Sequence, residues 1–195
     1  GLQRLEYRGY DSAGLTVLNA EQDLKRYRAV GKVQALKDTC RAESPKGSIG
    51  IAHNRWATHG KQTKINAHPH VSSNTVSLVH NGIIENHEAL RQELTAQGYR
   101  FESETDTEVM AHLIHHLVAG CGDFRQGVTE ALTRLEGAYA IAVQHRDFPD
   151  RLIGARQGSP LVVGLGIGEN FIASDPQALR PVTDRFIYLE EGELV

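Results

Sequence analysis

The strongest constraint on the fold is a segment that begins as a β-strand and ends in a cluster of polar side chains. Residues 51–60 read Ile-Ala-His-Asn-Arg-Trp-Ala-Thr-His-Gly. Alternation places Ile49, Ile51 and His53 on one face and smaller or polar residues on the other. A strand with one apolar face needs a second layer to cover it, so this segment predicts a layered fold with its polar end at an edge.

The polar end of this strand carries Arg55, Trp56, Thr58 and His59. A forked guanidinium can bind a carboxylate, a hydroxyl can donate a hydrogen bond, and an indole can exclude water. Together they fit a pocket for a small amino acid. The same residues also fit an ordinary polar strand end with a tryptophan in the core, and local chemistry leaves both interpretations open.

The rest of the chain has helical patterns in its middle and strand patterns at both ends. Strands are predicted over 12–18, 23–29, 75–80, 138–144, 151–156, 161–166, 170–174 and 185–190, and helices over about 33–41, 86–97, 106–118 and 123–135. Residues 1–7 resemble the last turns of a helix, and residues 61–70 a loop. Sheets and helices in layers predict an α+β architecture.

Composition excludes several classes of protein. The 195 residues carry a formal net charge of −3 and no run of Lys and Arg, which argues against nucleic-acid binding. No apolar run approaches the roughly 18 residues of a membrane span, so neither a membrane span nor a signal peptide is expected. Cys40 and Cys121 form no C-x-x-C pair, so a reducing cytoplasm is expected.

Two patterns that suggest cofactors are better explained structurally. His112, His115 and His116 lie at i, i+3 and i+4 on one helix, but opposite its apolar stripe, so a solvated polar face and no metal are expected. Residues 164–168, Gly-Leu-Gly-Ile-Gly, precede a strand, whereas a phosphate loop needs a helix there.

Two further positions carry chemistry that complements Arg55. Thr105-x-x-Glu108 is a capping box, which puts Asp106 in the first turn of a helix. That carboxylate suits the helix dipole, and it could equally bind a substrate ammonium group. Asn81-Gly82 is expected in a strand-to-helix bend, where it could serve as turn residues or supply an amide and a backbone N–H to an oxyanion.

Seven sequence motifs carry a family resemblance that extends over nearly the whole chain. They are Tyr-Arg-Gly-Tyr-Asp-Ser at 7–12, Arg-Trp-Ala-Thr-His-Gly at 55–60, Ala-His-Pro-His at 67–70, His-Asn-Gly-Ile-Ile-Glu-Asn at 80–86, Ser-Glu-Thr-Asp-Thr-Glu at 103–108, Gly-Ser-Pro-Leu at 158–161 and Glu-Asn-Phe-Ile-Ala-Ser-Asp at 169–175. The chain resembles the glutaminase domain of glutamine–fructose-6-phosphate aminotransferases, the isomerising enzymes. The resemblance implies an N-terminal-nucleophile hydrolase fold, a four-layer αββα sandwich.

The resemblance also implies a mechanism. An N-terminal Cys thiol attacks the side-chain amide of glutamine, its own α-amino group acts as the base, and water hydrolyses the resulting thioester. The implied roles are Arg55 on the glutamine carboxylate, Asp106 on its α-amino group, Thr58 and His59 lining the pocket, Asn81 and Gly82 as the oxyanion hole, Trp56 as an ammonia gate, and Arg8 as support for the nucleophile's end of the site.

The sequence departs from the family at the nucleophile. Neither the N-terminal Cys nor the strand that follows it is present, and Cys40 and Cys121 do not match its position. We therefore expect residues 1–195 to form a glutaminase domain truncated at both ends, lacking its first strand and a downstream sugar isomerase domain. This chain alone is expected to hydrolyse no glutamine.

The expected partners are L-glutamine, fructose 6-phosphate through the isomerase domain, and a second copy in a homodimer; no cofactor, nucleic acid or membrane is expected. Two alternatives stay open: the glutaminase domain of another amidotransferase, and a non-catalytic glutamine-binding module.

Overall fold

The computed structural model describes residues 1–56 and 61–195. The strands are β1 (Ser12–Leu18), β2 (Leu24–Val30), β3 (Ile49–Arg55), β4 (His70–Ser72), β5 (Val76–Ile84), β6 (Gly137–His145), β7 (Leu152–Gln157), β8 (Val162–Leu165), β9 (Asn170–Ala173) and β10 (Phe186–Tyr188). The α-helices are α1 (Val33–Glu43), α2 (His87–Ala96), α3 (Asp106–Cys121) and α4 (Phe124–Thr133), and 3₁₀ helices cover Leu2–Arg8 and Pro176–Ala178.

The strands form three antiparallel sheets, with the orders β2-β1-β3, β4-β5-β6-β7 and β10-β8-β9. Strand β5 lies inside its sheet, between β4 and β6. It pairs with β6 along its whole length, with Asn81 opposite Ala140 and Gly82 opposite Tyr139. In the first sheet, Gly14 of β1 lies opposite His53 of β3. These registers decide which side chains share a face.

Alternation along β5 and β6 separates two buried faces. Leu78 and Ile141 point to the main core, which is completed by α2, α3 and α4, whereas Ala140 packs against β8. On the far side, α1 covers β1 and β2 through Val33 and Leu36. The order is helix, sheet, sheet, helix, and the predicted α+β layering is confirmed.

Several local predictions were wrong. Asn81-Gly82 lies inside β5 and not in a bend, because pairing with β6 continues to Ile84. The pattern gave no sign of β4, and residues 2–8 form a 3₁₀ helix. His112 is buried and not solvated, since Nδ1 contacts the Ser72 hydroxyl at 2.8 Å. No helix among the described residues is long and apolar enough to cross a membrane.

Candidate active site

A cavity of about 550 Å³ lies where the polar end of β3 meets β5, β6 and β9. It brings together six of the residues that the sequence predicted for the site: Arg8, Arg55, Trp56, Asn81, Gly82 and Asp106. The other two, Thr58 and His59, lie outside the described residues. Cys40 and Cys121 do not line this cavity.

Arg55 is the last residue of β3 and its side chain is almost fully buried, with 3% of the residue exposed. Its Nη1 donates a hydrogen bond to the Lys61 carbonyl at 3.2 Å. Burial lowers the pKa of the guanidinium, and the carboxylates of Asp11, Asp106 and Glu104 oppose that shift. A buried arginine stays charged, so the cavity wall presents a fixed cation.

Arg55 donates to the Lys61 carbonyl, and the loop at Lys61 is held in place by Glu104 and Asn66, which the sequence analysis did not identify. The Lys61 N–H donates to Glu104 Oε2 at 3.1 Å, and Asn66 Nδ2 donates to the same oxygen at 3.1 Å. These two hydrogen bonds lower the pKa of the Glu104 carboxyl. Glu104 lies two residues before Asp106, so a single segment supports both the predicted cation and the predicted anion.

Asp106 begins α3, and its carboxylate ties that helix to β5. Oδ2 accepts the Ile84 N–H at 2.9 Å, and the Thr107 hydroxyl lies 3.4 Å from Oδ1. The capping box forms in part: Thr105 Oγ1 accepts the Glu108 N–H at 3.3 Å. The Glu108 carboxylate, however, accepts from the Ser103 N–H, not from Thr105. Asp106 is therefore both a buried anion and a structural link.

Asn81 and Gly82 are adjacent on β5, and both contribute atoms to the wall of the cavity. The Asn81 Oδ1 atom lies 2.9 Å from Nε2 of His53, on the neighbouring sheet. Gly82 has a φ of +136°, and a Cβ there would lie 2.0 Å from the Ala138 carbonyl oxygen. Only glycine fits this position, so the close approach of β5 and β6 depends on it.

Four buried histidines surround these groups: His53, His68, His70 and His80. The His53 and His68 rings lie 4.3 Å apart, and both His68 Nε2 and His80 Nδ1 contact the Thr107 hydroxyl, at 2.8 and 3.1 Å. Burial lowers the pKa of all four, that of His53 to about 4. Sequence reasoning missed this cluster, although His68, His70 and His80 lie in the quoted motifs and His53 lies two residues before Arg55.

Trp56 and Arg8 lie at the open side of the cavity. Trp56 is 58% exposed, and its indole meets the Tyr10 ring edge-on at 5.8 Å. Arg8 Nη1 lies 3.8 Å from Asp175 Oδ2, which also accepts the Tyr7 hydroxyl at 2.9 Å. These are solvent-exposed contacts at the rim, worth little in stability.

Taken together, these layers and this cavity define a class of protein. The model of the glutamine amidotransferase domain family matches residues 53–181, and the chain belongs to that family. The B. subtilis glutamine phosphoribosylpyrophosphate amidotransferase complexed with ADP and GMP superposes with a TM-score of 0.81 at 28% identity, over 99% of this chain and 42% of that one. The fold is the N-terminal-nucleophile hydrolase αββα sandwich.

More similar sequences narrow the class. The chain is 60% identical over 194 residues to the glutamine–fructose-6-phosphate aminotransferase (isomerising) of Idiomarina loihiensis, and 58% identical to that of Escherichia coli K12. All of this chain is covered in both comparisons, but only 32% of each relative. The chain spans about a third of the length of these relatives.

Proposed function

We propose that this chain is the glutamine-hydrolysing domain of an enzyme that makes glucosamine 6-phosphate from fructose 6-phosphate and glutamine-derived ammonia. The observation that carries the proposal is one cavity lined by a buried cation, a buried anion and an Asn-Gly pair. The acceptor sugar is inferred from the names of the relatives that are 58–60% identical.

Arg55 and Asp106 supply the two charges that an α-amino acid needs. In the proposal the guanidinium binds the α-carboxylate through paired N–H donors, and the Asp106 carboxylate accepts from the α-ammonium. Both groups are fixed before substrate arrives, Arg55 through the Lys61 carbonyl and Asp106 through the Ile84 N–H. Preorganised charges of this kind cost little reorganisation on binding. Thr58 and His59 are proposed as further pocket residues.

The chemistry that we propose is hydrolysis through a thioester. A cysteine thiolate adds to the amide carbon of glutamine, and the oxyanion is stabilised by the Asn81 side-chain amide and the Gly82 N–H. The C–N bond then breaks, and the nitrogen leaves as ammonia with the proton taken from the thiol. Water adds to the thioester, which releases glutamate and restores the thiol. Trp56 is proposed to gate the ammonia, and Arg8 to support the nucleophile's end.

The thiol in this proposal belongs to a segment outside residues 1–195. Within the described part of the chain, β3 pairs with β1 alone and β9 with β8 alone, and the unpaired edges of both strands line the cavity. Unpaired strand edges readily accept another strand. We infer that an extended segment beginning with cysteine occupies this gap and delivers its sulfur beside Asn81. The sugar isomerase domain is likewise proposed to lie outside residues 1–195.

We also propose that the parent protein is cytoplasmic and forms a homodimer. Both cysteines are free thiols, which suits a reducing cytoplasm, and the relatives named above are bacterial enzymes. The homodimer follows from the family resemblance alone.

The test uses the full-length protein and the present chain side by side. Glutamate release from L-glutamine and glucosamine 6-phosphate formation, both followed by mass spectrometry, are expected only for the full-length protein. Calorimetry is expected to detect L-glutamine binding to the chain. Hydrolysis by the purified chain would refute the external nucleophile. If the full-length protein bound L-glutamine without hydrolysing it, a non-catalytic glutamine-binding module would be favoured. If it hydrolysed glutamine without forming glucosamine 6-phosphate, another amidotransferase would be favoured.

A further inference from the structure

We propose that His53 is a positioning residue: its ring fixes the side-chain amide of Asn81 so that the NH₂ end, and not the oxygen, faces the reacting carbonyl. This inference rests on the proposed function, because it assigns a partner to the proposed oxyanion hole. It concerns a contact between two layers of the fold, since His53 belongs to β3 and Asn81 to β5.

The contact is partly buried, and its geometry is specific. His53 is 9% exposed, and its Nε2 lies 2.9 Å from Asn81 Oδ1. The His68 ring covers one face of the imidazole at a centroid distance of 4.3 Å. The register opposes His53 with Gly14, where a Cβ would lie 2.0 Å from the His68 carbonyl oxygen. The small residue lets His68 approach β1, and this confines the His53 ring.

The protonation state of His53 follows from its surroundings. Burial lowers the pKa of His53 to about 4, so the ring is neutral near pH 7 and carries one N–H. Hydrogen bonds to Asn81 and to the His80 backbone raise this pKa, but burial outweighs them. Asn81 Oδ1 faces Nε2 at 2.9 Å, so a proton on Nδ1 would set the lone pairs of Nε2 and Oδ1 against each other. The proton therefore belongs on Nε2, which donates to Asn81 Oδ1.

This hydrogen bond decides which end of the Asn81 side-chain amide faces the oxyanion. A side-chain amide has a donor end and an acceptor end of nearly the same shape, so sterics alone do not choose between them. With Oδ1 held by the Nε2–H of His53, the end left to donate is Nδ2. The flipped amide would turn oxygen lone pairs towards a developing negative charge and raise the barrier.

Substitutions at His53 in the full-length protein test the inference. The His53→Gln variant keeps an N–H donor at about the reach of Nε2, whereas His53→Asn carries the same amide on a shorter side chain, and His53→Leu has no donor. Losing a whole oxyanion donor costs about 10²–10³ in kcat. We expect roughly 10- to 100-fold losses in kcat for His53→Leu and His53→Asn, KM within about threefold, and recovery of most of kcat in His53→Gln.

Two comparisons separate positioning from a general effect on the fold. His145→Leu is the matched control: His145 is buried at the end of β6, its Nδ1 accepts one hydrogen bond, from the Asp147 N–H, and it does not line the cavity. It is expected to lower the melting temperature but not kcat. In an Asn81→Ala background, His53→Leu is expected to lower kcat by less than about threefold, since the amide that it orients is gone.

Each result supports or overturns the inference. Additive losses in the double variant would overturn it. If His53→Leu failed to fold, equal kcat in His53→Asn and His53→Gln would overturn it without the double variant. A wild-type full-length protein that hydrolyses glutamine, with no change in kcat in any His53 variant, would overturn the inference and leave the proposed function intact. A wild-type protein that does not hydrolyse glutamine would refute the proposed function itself.

Discussion

Replacing Gly82 by alanine should destabilise the domain more than any other glycine-to-alanine change considered below. Gly82 lies within β5 at a φ of +136°, and an added Cβ would meet the Ala138 carbonyl at 2.0 Å from the oxygen and 2.7 Å from the carbon. The obstacle is the backbone of β6, the paired strand, so no side-chain rotation can relieve it. Either β5 and β6 separate locally or the φ of residue 82 changes.

Both responses carry a cost that can be estimated. A non-glycine residue in a sparsely populated backbone region costs about 1–3 kcal/mol, and forcing an extra methyl group into a packed interior costs about 1–3 kcal/mol more. The sum of roughly 2–6 kcal/mol is a large part of the typical 5–15 kcal/mol of a domain. At about 2–4 °C per kcal/mol for a chain of this length, we expect the melting temperature to fall by roughly 4–24 °C.

Two glycines at the C-terminal end of α3, Gly120 in its last turn and Gly122 just after it, provide controls for thermal and urea unfolding. Gly122 has a φ of +72° and nothing within 4 Å of an added Cβ, so Gly122→Ala is expected to cost only about 1–2 kcal/mol. Gly120 has neither a positive φ nor a neighbour within 4 Å, and Gly120→Ala in the helix should stabilise by up to about 1 kcal/mol.

The ranking of these three variants is the decisive result. If Gly82→Ala lowered the free energy of unfolding by no more than Gly122→Ala, the close approach of β5 and β6 would not be rigid. The reasoning that only glycine fits beside Asn81 would then be wrong.

Three further predictions follow from the same contacts. Asp106→Asn keeps an oxygen for the Ile84 N–H but loses the charge, so L-glutamine should bind about 10- to 150-fold more weakly by calorimetry, whereas glutaramate, which lacks the α-amino group, should bind unchanged; an equal loss for both ligands would contradict the assigned role. The buried His53 has a pKa of about 4 against 6.5 when unfolded, so below about pH 6.5 the unfolded chain takes up a proton that the folded chain excludes. His53 alone should lower the free energy of unfolding by roughly 2 kcal/mol between pH 7.5 and pH 5, measured by urea unfolding of wild type and His53→Gln; equal pH dependence in both would refute this. Burial raises the pKa of the half-buried Cys40 thiol, whereas Cys121 is exposed, so a thiol reagent at pH 8 should label Cys121 first, and Cys121→Ser should leave glutamine hydrolysis by the full-length protein unchanged.

The agreement between sequence and structure is best where the signal is local. The hairpin of β1 and β2 and the starts of α1 near Val33 and of α4 near Asp123 follow from turn residues and periodicity. The faces of β3 also follow, since Ile51 and His53 are buried while Gly50 and Ala52 are exposed. Periodicity and capping are properties of a few neighbouring residues, so the sequence contains them.

The errors fall where partners are distant in sequence. The Asn-Gly pair at 81–82 is typical of a turn, yet pairing with β6, more than fifty residues away, keeps it in a strand. His112 was expected in solvent because its helix has an apolar stripe on another face. Strand β4 and the residues before α3 cover that second face, and Arg100 and Ser72 supply its hydrogen-bond partners.

The sequence by itself determined the residue types of the site: a cation after a strand, an acid at a helix start, and an amide beside a glycine. Only the tertiary structure decided that these groups line one cavity, that the Lys61 carbonyl and the Ile84 N–H hold the two charges, and that four histidines lie buried behind them. The physical reason is that burial and hydrogen-bond partners depend on which layers meet. A histidine in water and one stacked between two sheets have the same letter in the sequence but different protonation and different chemistry.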